Sequence, residues 1–366
     1  MRLLRCLLTL CFIALLLPAQ AQPFSAVAGL RVARDGHAAT RLRDGRVLVT
    51  GGTRGGQAVK EVEIFDPASG EWLVGESMNT ARSHHQATLL ADGRVLVTGG
   101  IDGTRYLDSV EIFDVAADTW FATPSLPGVR RADHQATLLP DGRVLVTGGI
   151  GFPVERDLED TVTFETCLLF DPRSSTWVEA APMHSARQQH TATALPGGRV
   201  LVAAGLGDAG GNSSAEIYDA RAGSWTPAGD LGSVRWSHTA SLLPDGRLLL
   251  AGGYDANQTL ASTELFDPAA RRWTPGPAMA RARQLHTASP LPGGTLLVAG
   301  GLGADGAPAS AEIYDPVAQR WRDAGRLLTP RFRHSATLLV DGRVLLVGGL
   351  DERDVLAGAE SFRLAR

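Results

Sequence analysis

The stretch RSHHQATLLADGRVLVTGG, residues 82–100, decides the fold because the chain writes it again with small changes. RADHQATLLPDGRVLVTGG stands at 131–149 and RFRHSATLLVDGRVLLVGG at 331–349. Each version holds Arg-x-x-His, an alternating run, Asp-Gly and a glycine pair. Anchored on the first residue of that pair, the copies fall at Gly51, Gly99, Gly148, Ala204, Gly252, Gly300 and Gly348. Their spacings are 48, 49, 56, 48, 48 and 48 residues. A sustained period of this length marks a repeat architecture, in which each unit buries its apolar face only against its neighbours.

Within a unit, four segments of strand length are separated by turn residues. The first, His-x-Ala-Thr-Leu-Leu, ends at a dipeptide suited to a two-residue hairpin, because both central residues can take positive φ. Asp44-Gly45, Asp92-Gly93, Asp141-Gly142, Asp245-Gly246 and Asp341-Gly342 fill that turn, with Gly197-Gly198 and Gly293-Gly294 in the other two copies. The second segment is Arg-Val-Leu-Val-Thr. The third is Glu-Ile-Phe, often closed by Asp-Pro, where proline presets φ for a turn. The fourth begins at Trp72, Trp120, Trp177, Trp225, Trp273 and Trp321.

Six tryptophans thus serve seven glycine pairs, and the seventh place has a substitute. Phe24 lies 13 residues before His37, as Trp321 lies 13 before His334, so an N-terminal strand stands ready to complete the last unit. The 18 residues after Gly348 and the 30 from Ala21 to Gly51 make one further period of 48. The expected fold is all-β: a seven-bladed β-propeller of four-stranded blades, closed by the N-terminal strand in the last blade. Closure of this kind leaves no long bare strand edge.

The glycine pair, the aromatic-Asp-Pro and the spaced tryptophan together resemble the Kelch repeat, and the likeness runs through the whole of 22–366. The resemblance implies the propeller fold but no single activity, because Kelch propellers include adaptors, a sialic acid isomerising enzyme and copper radical oxidases. A galactose oxidase-like copper centre needs two tyrosines and two histidines at the axis and a partner domain. Tyr106, Tyr218, Tyr254 and Tyr314 are not beside histidines, and Tyr218 and Tyr314 fill the repeat's aromatic position. No copper, other metal or cofactor is therefore expected, and no catalytic residue is assigned. Gly-x-Ser-x-Gly, His-Glu-x-x-His and P-loop patterns do not occur either.

Residues 1–21 carry Arg2 and Arg5, an apolar run from Leu7 to Leu17 and small residues at Ala19 and Ala21. That is the pattern of a secretory signal peptide cleaved after Ala21, its apolar run too short for a membrane span. A single domain over 22–366, exported to the periplasm or beyond and monomeric, is expected. Cys167 is the one cysteine outside the signal, so stability must come from burial and hydrogen bonding without an internal disulfide. With Arg2 and Arg5 removed, 33 basic residues face 39 acidic ones, which gives nucleic acid or an anionic membrane no reason to bind. Lys60 is the only lysine, a bias that suits a GC-rich bacterial genome.

Seven copies in one chain permit an internal comparison. Arg34, Arg82, Arg131, Arg187, Arg235, Arg283 and Arg331 recur three residues before His37, His85, His134, His190, His238, His286 and His334. Glu63, Glu111, Glu216, Glu264, Glu312 and Glu360 recur in the third strand, with Leu168 breaking the set. Groups present in every unit meet a need of every unit, so these read as buried ion pairs and structural hydrogen bonds. A ring of seven histidines also suits no three- or four-ligand metal site.

Function is expected where copies differ. The loop leading into each blade and the loop between its second and third strands share a face, and the Asp-Gly and Asp-Pro turns make the other. Between Arg and His the pairs are Asp35-Gly36, Ser83-His84, Ala132-Asp133, Gln188-Gln189, Trp236-Ser237, Gln284-Leu285 and Phe332-Arg333. From these, His84, Asp133, Gln188, Gln189, Trp236, Gln284, Phe332 and Arg333 are candidate ligand-binding residues, joined by Arg156 and Asp157 of a charged eight-residue insertion in the third unit. The expectation is a binding module for a protein or glycan on this face. The alternative is an enzyme resembling the sialic acid mutarotases, acting on an anionic sugar at the channel mouth.

Overall fold

The computed structural model describes residues 23–154 and 160–364, so residues 1–22 with the signal sequence, and Arg156 and Asp157 of the insertion, lie outside it. Seven antiparallel four-stranded sheets follow one another, each in strand order one to four. Blade one is Ala38–Arg41, Val47–Thr50, Val62–Asp66 and Glu71–Gly75. Blade seven is Ser335–Leu338, Val344–Val347 and Ala359–Phe362, completed by Phe24–Val27 from the other end of the chain. Phe24 pairs with Phe362 as Trp72 pairs with Phe65 in blade one, with ring centroids 5.0 and 5.1 Å apart. Phe24 thus stands in the seventh tryptophan's place.

The alternating sequence places the core between blades rather than within them. Second strands such as Val95–Thr98 are buried on both faces, as an unbroken apolar run requires. Leu42, Leu48 and Ile64 of blade one pack on Val95, Val97 and Phe113 of blade two. Around the axis the first strands carry the Ala-Thr pair, small enough for seven strands to converge.

The repeated arginine and glutamate form the pairs expected of them. Arg82 is wholly buried; its Nη1 donates to the carbonyls of Gly99 and Ser109, and its Nη2 to Glu111 at 2.7 Å. The other oxygen of Glu111 accepts from the amide of Asn79, at 2.7 Å. One buried pair therefore ties the leading loop, the glycine pair and the third strand together. Five more blades repeat it, from Arg34–Glu63 to Arg331–Glu360.

Blade three replaces the whole arrangement and not one residue of it. Leu168 stands where the glutamate would be, and Pro127, which has no N–H, follows Leu126 where the other blades offer an amide to the carboxylate. Arg131 lies 5.0 Å from the Phe164 ring and donates to the hydroxyl of Thr166. Burial pulls its pKa down to about 10, which still leaves it charged at neutral pH. Acceptor and donor were lost together, so no amide is stranded.

Candidate functional site

The histidines at the axis are engaged in the scaffold. Nε2 of His85, His134 and His190 meets the hydroxyl of Thr50, Thr98 and Thr147, at the end of the preceding blade's second strand. In the other four blades that second-strand position is Ala203, Ala251, Ala299 or Val347, and the hydroxyl comes from its cross-strand partner Thr191, Thr239, Thr287 or Ser335. Each blade supplies one hydroxyl from one of two paired positions. Where the second strand supplies it, the first-strand position is released, and there the chain places Ala38, Gln86 and Gln135.

The residue before each histidine lies in the left-handed region, with φ from 49° to 59° in all seven blades. Gly36 adopts this readily, whereas His84, Asp133, Gln189, Ser237, Leu285 and Arg333 hold it at some strain. What holds them is a closed ring. The amide of His84 donates to the Gly36 carbonyl, Asp133 to His84, Gln189 to Asp133, Ser237 to Gln189, Leu285 to Ser237, Arg333 to Leu285 and Gly36 to Arg333, at 3.0 to 3.3 Å. Seven blades are thus joined at the mouth by backbone alone, leaving side-chain identity free at every ring position.

Those side chains line an axial cavity of about 490 Å³. Nδ1 of His84 lies 3.0 Å from Asp133 Oδ1, and Ser237 donates to Gln189 Oε1 at 2.7 Å. The Asp133 hydrogen bond raises the His84 pKa above its ordinary 6.5, against burial and the Arg333 charge. Burial alone would raise the Asp133 pKa, yet the bond from His84 holds it below the usual value. Arg333 approaches Asp35 at 3.8 Å and is 39% exposed, in contrast to the buried repeat arginines. Gln86 and Gln135 reach the cavity from their released positions, while Leu285, Ala240 and Ala288 give it an apolar side.

The candidates from sequence therefore divide by one residue of register. His84, Asp133, Gln189 and Arg333 line the cavity. Gln188, Trp236, Gln284 and Phe332 stand one position earlier and bridge Leu206, Tyr254, Leu302 and Leu350 at the start of the second-to-third-strand loop. Trp236 packs edge-on against Tyr254 with centroids 5.3 Å apart. Gln86 and Gln135 were missed by the sequence reading, although the position after the histidine varies visibly: Ala38, Gln86, Gln135, Thr191, Thr239, Thr287, Ser335. The opposite face repeats one motif, an Arg–Asp pair in the hairpin turn, in five blades.

A family model described as the KLHDC2/KLHL20/DRC7 Kelch-repeats domain matches residues 25–205, and the Kelch motif matches 235–280. The chain belongs to the Kelch repeat family. No curated protein matches it. Among solved structures, this Kelch propeller is similar to a "novel fungal alcohol oxidase with catalytic diversity among the AA5 family, in complex with copper". Identity is 17% over 93% of this chain and 76% of that one, with a TM-score of 0.75. It is also similar to YjhT, at 16% identity, covering 82% of this chain and 99% of that one, with a TM-score of 0.62. At such identities the likeness shows the fold. The copper of the fungal oxidase does not fit this axis: Tyr218 and Tyr314 are buried against Trp225 and Trp321, Tyr254 against Trp236 and Tyr106 against Phe152, and the repeat histidines spend Nε2 on hydroxyls.

Proposed function

We propose that this Kelch propeller is an exported recognition module that binds a protein or glycan ligand at its axial mouth. One observation carries the reading. Seven equivalent ring positions hold seven different residues aimed at a single cavity, whereas the opposite face repeats the same Arg–Asp pair. Kelch domains commonly serve as protein-interaction modules, which supports it.

The test is capture on peptide and glycan arrays by the protein and two variants. Ser237→Trp fills the mouth, and Val317→Asp alters a 94% exposed residue in a turn of the opposite face. Ligands should be lost by the first variant and kept by the second. Retention of every ligand by Ser237→Trp would remove the axial mouth from consideration. Export is checked separately, by sequencing the N-terminus of protein recovered outside the cytoplasm, where Gln22 should come first.

A second reading, an enzyme interconverting forms of an anionic sugar, is favoured by the His84–Asp133 pair, a proton-transfer couple on the cavity wall. Accelerated anomer exchange seen by NMR, and lost in His84→Asn, would establish it.

A further inference from the structure

We propose that the notch above Gly36 binds a carboxylate, carried by a small hydroxylated acid, between the Arg333 guanidinium and Nε2 of His84. This deepens the axial-mouth reading and rests on it. Gly36 is the one ring residue without a side chain, and the ring bonds place Arg333 and His84 on either side of it. The imidazole edge leans over the gap: a Cβ built on Gly36 would lie 3.4 Å from His84 Nε2.

Donors that face the notch are free and acceptors near it are taken. His84 spends Nδ1 on Asp133, which leaves Nε2 as a donor when the ring is protonated or in the matching neutral tautomer. The Asp133 carboxylate is engaged by His84, and Asp35 accepts from the Thr53 hydroxyl at 2.6 Å. Arg333 is 3.8 Å from Asp35, too far for a hydrogen bond, so its planar fork is held by charge while its N–H groups remain available. A carboxylate is the group whose two oxygens match a guanidinium on one side and an imidazole N–H on the other.

The rest of the cavity indicates what the acid carries. The amides of Gln86 and Gln135 make no side-chain hydrogen bond among the described residues, and each offers both donor and acceptor to a hydroxyl. Leu285, Ala240 and Ala288 opposite them suit the C–H face of a ring. The groups facing His84 are Asp133, Arg333, Asp35 and the neutral His85. With His84 protonated, the charges of His84, Arg333, Asp133 and Asp35 balance; with it neutral they leave one negative charge that repels the ligand. Affinity should fall as the pH rises through the His84 pKa.

Isothermal titration with D-glucuronate, D-galacturonate and D-gluconate at pH 6 and pH 8 tests this, with D-glucose and acetate as probes lacking the charge or the hydroxyls. At least one acid should bind, more tightly at pH 6, and more tightly than D-glucose or acetate. Arg333→Gln and His84→Asn should each weaken it by about tenfold or more, and Gly36→Asn, which tolerates the left-handed backbone while filling the notch, should abolish it. Binding that is unchanged by pH or by these variants overturns the proposal. So does silence from all three acids while array ligands remain sensitive to Ser237→Trp, a result that spares the axial mouth. Array ligands insensitive to Ser237→Trp would remove both.

Discussion

Consider lowering the pH of this protein from 8 to 5. Burial first, and then the neighbouring guanidinium of Arg34, Arg131 or Arg235, pulls the pKa of His37, His134 and His238 from 6.5 to about 3. His85, His190, His286 and His334 shift in the same direction for the same reason. In the unfolded chain these histidines take a proton near pH 6.5, and in the fold only near 3. Between those values the unfolded state holds more protons, so stability is complete above 6.5 and drains away as the pH falls. At pH 5 each of the first three costs about 2 kcal/mol, roughly 6 together, against a total of about 5–15 kcal/mol for a folded domain. Urea unfolding at pH 8, 7, 6 and 5 reads the effect directly. The free energy of unfolding should drop by about 6 kcal/mol or more, and His238→Gln should reduce the pH slope by one proton. A drop under about 1 kcal/mol would mean that the imidazoles charge freely inside the fold, and the account of a dry, hydroxyl-bonded axis would be wrong.

Three further outcomes follow from the scaffold. Glu264→Ala strands the buried charge of Arg235 and uncaps the Gly232 amide, at a cost of about 3–5 kcal/mol. With an unfolding entropy of about 2.1 cal/mol/K per residue, that becomes a melting temperature lower by about 4–7 °C, and an unchanged calorimetric melt would count against the pair. Thr191→Ala removes the hydroxyl that His238 uses, and adding Ala203→Thr should restore it from the paired position. If the double variant melts no higher than the single one, the two positions do not substitute for each other. Gly253→Ala would place its methyl carbon 2.7 Å from the Trp236 carbonyl at φ 101°; little soluble, folded protein is expected, and a native-like yield would contradict the close approach drawn here.

The propeller was legible because the chain describes one blade seven times, and a period survives substitution at any single place. Phe24 could be placed as the missing tryptophan by spacing alone, and the Arg–Glu pairs by their joint recurrence. The site was half legible. The sequence shows that the two residues between Arg and His vary, but not that the second of them is left-handed and turns its side chain to the axis while the first bridges a loop. That distinction lives in φ. Gln86 and Gln135 escaped for a different reason: their position reads as scaffold until one sees that Thr98 and Thr147, across the strand pair, have taken over the hydroxyl's work. The compensation in blade three was hidden likewise, because Leu168, Pro127 and Phe164 are far apart in sequence and meet only around Arg131.

The strand that completes blade seven also sets an order of events. Phe24–Val27 is among the first segments a ribosome would deliver, and its partner Ala359–Phe362 is among the last. Until that pairing forms, blade seven presents an open edge and the backbone ring at the mouth lacks closure at Gly36 and Arg333. Six blades can be assembled by contacts between neighbours, but the final one demands a loop spanning nearly the whole chain, the slowest kind of contact to make. A nascent chain of this protein therefore stays unsealed to its end, and the latch that closes the circle is also its last opportunity to misassemble with another copy.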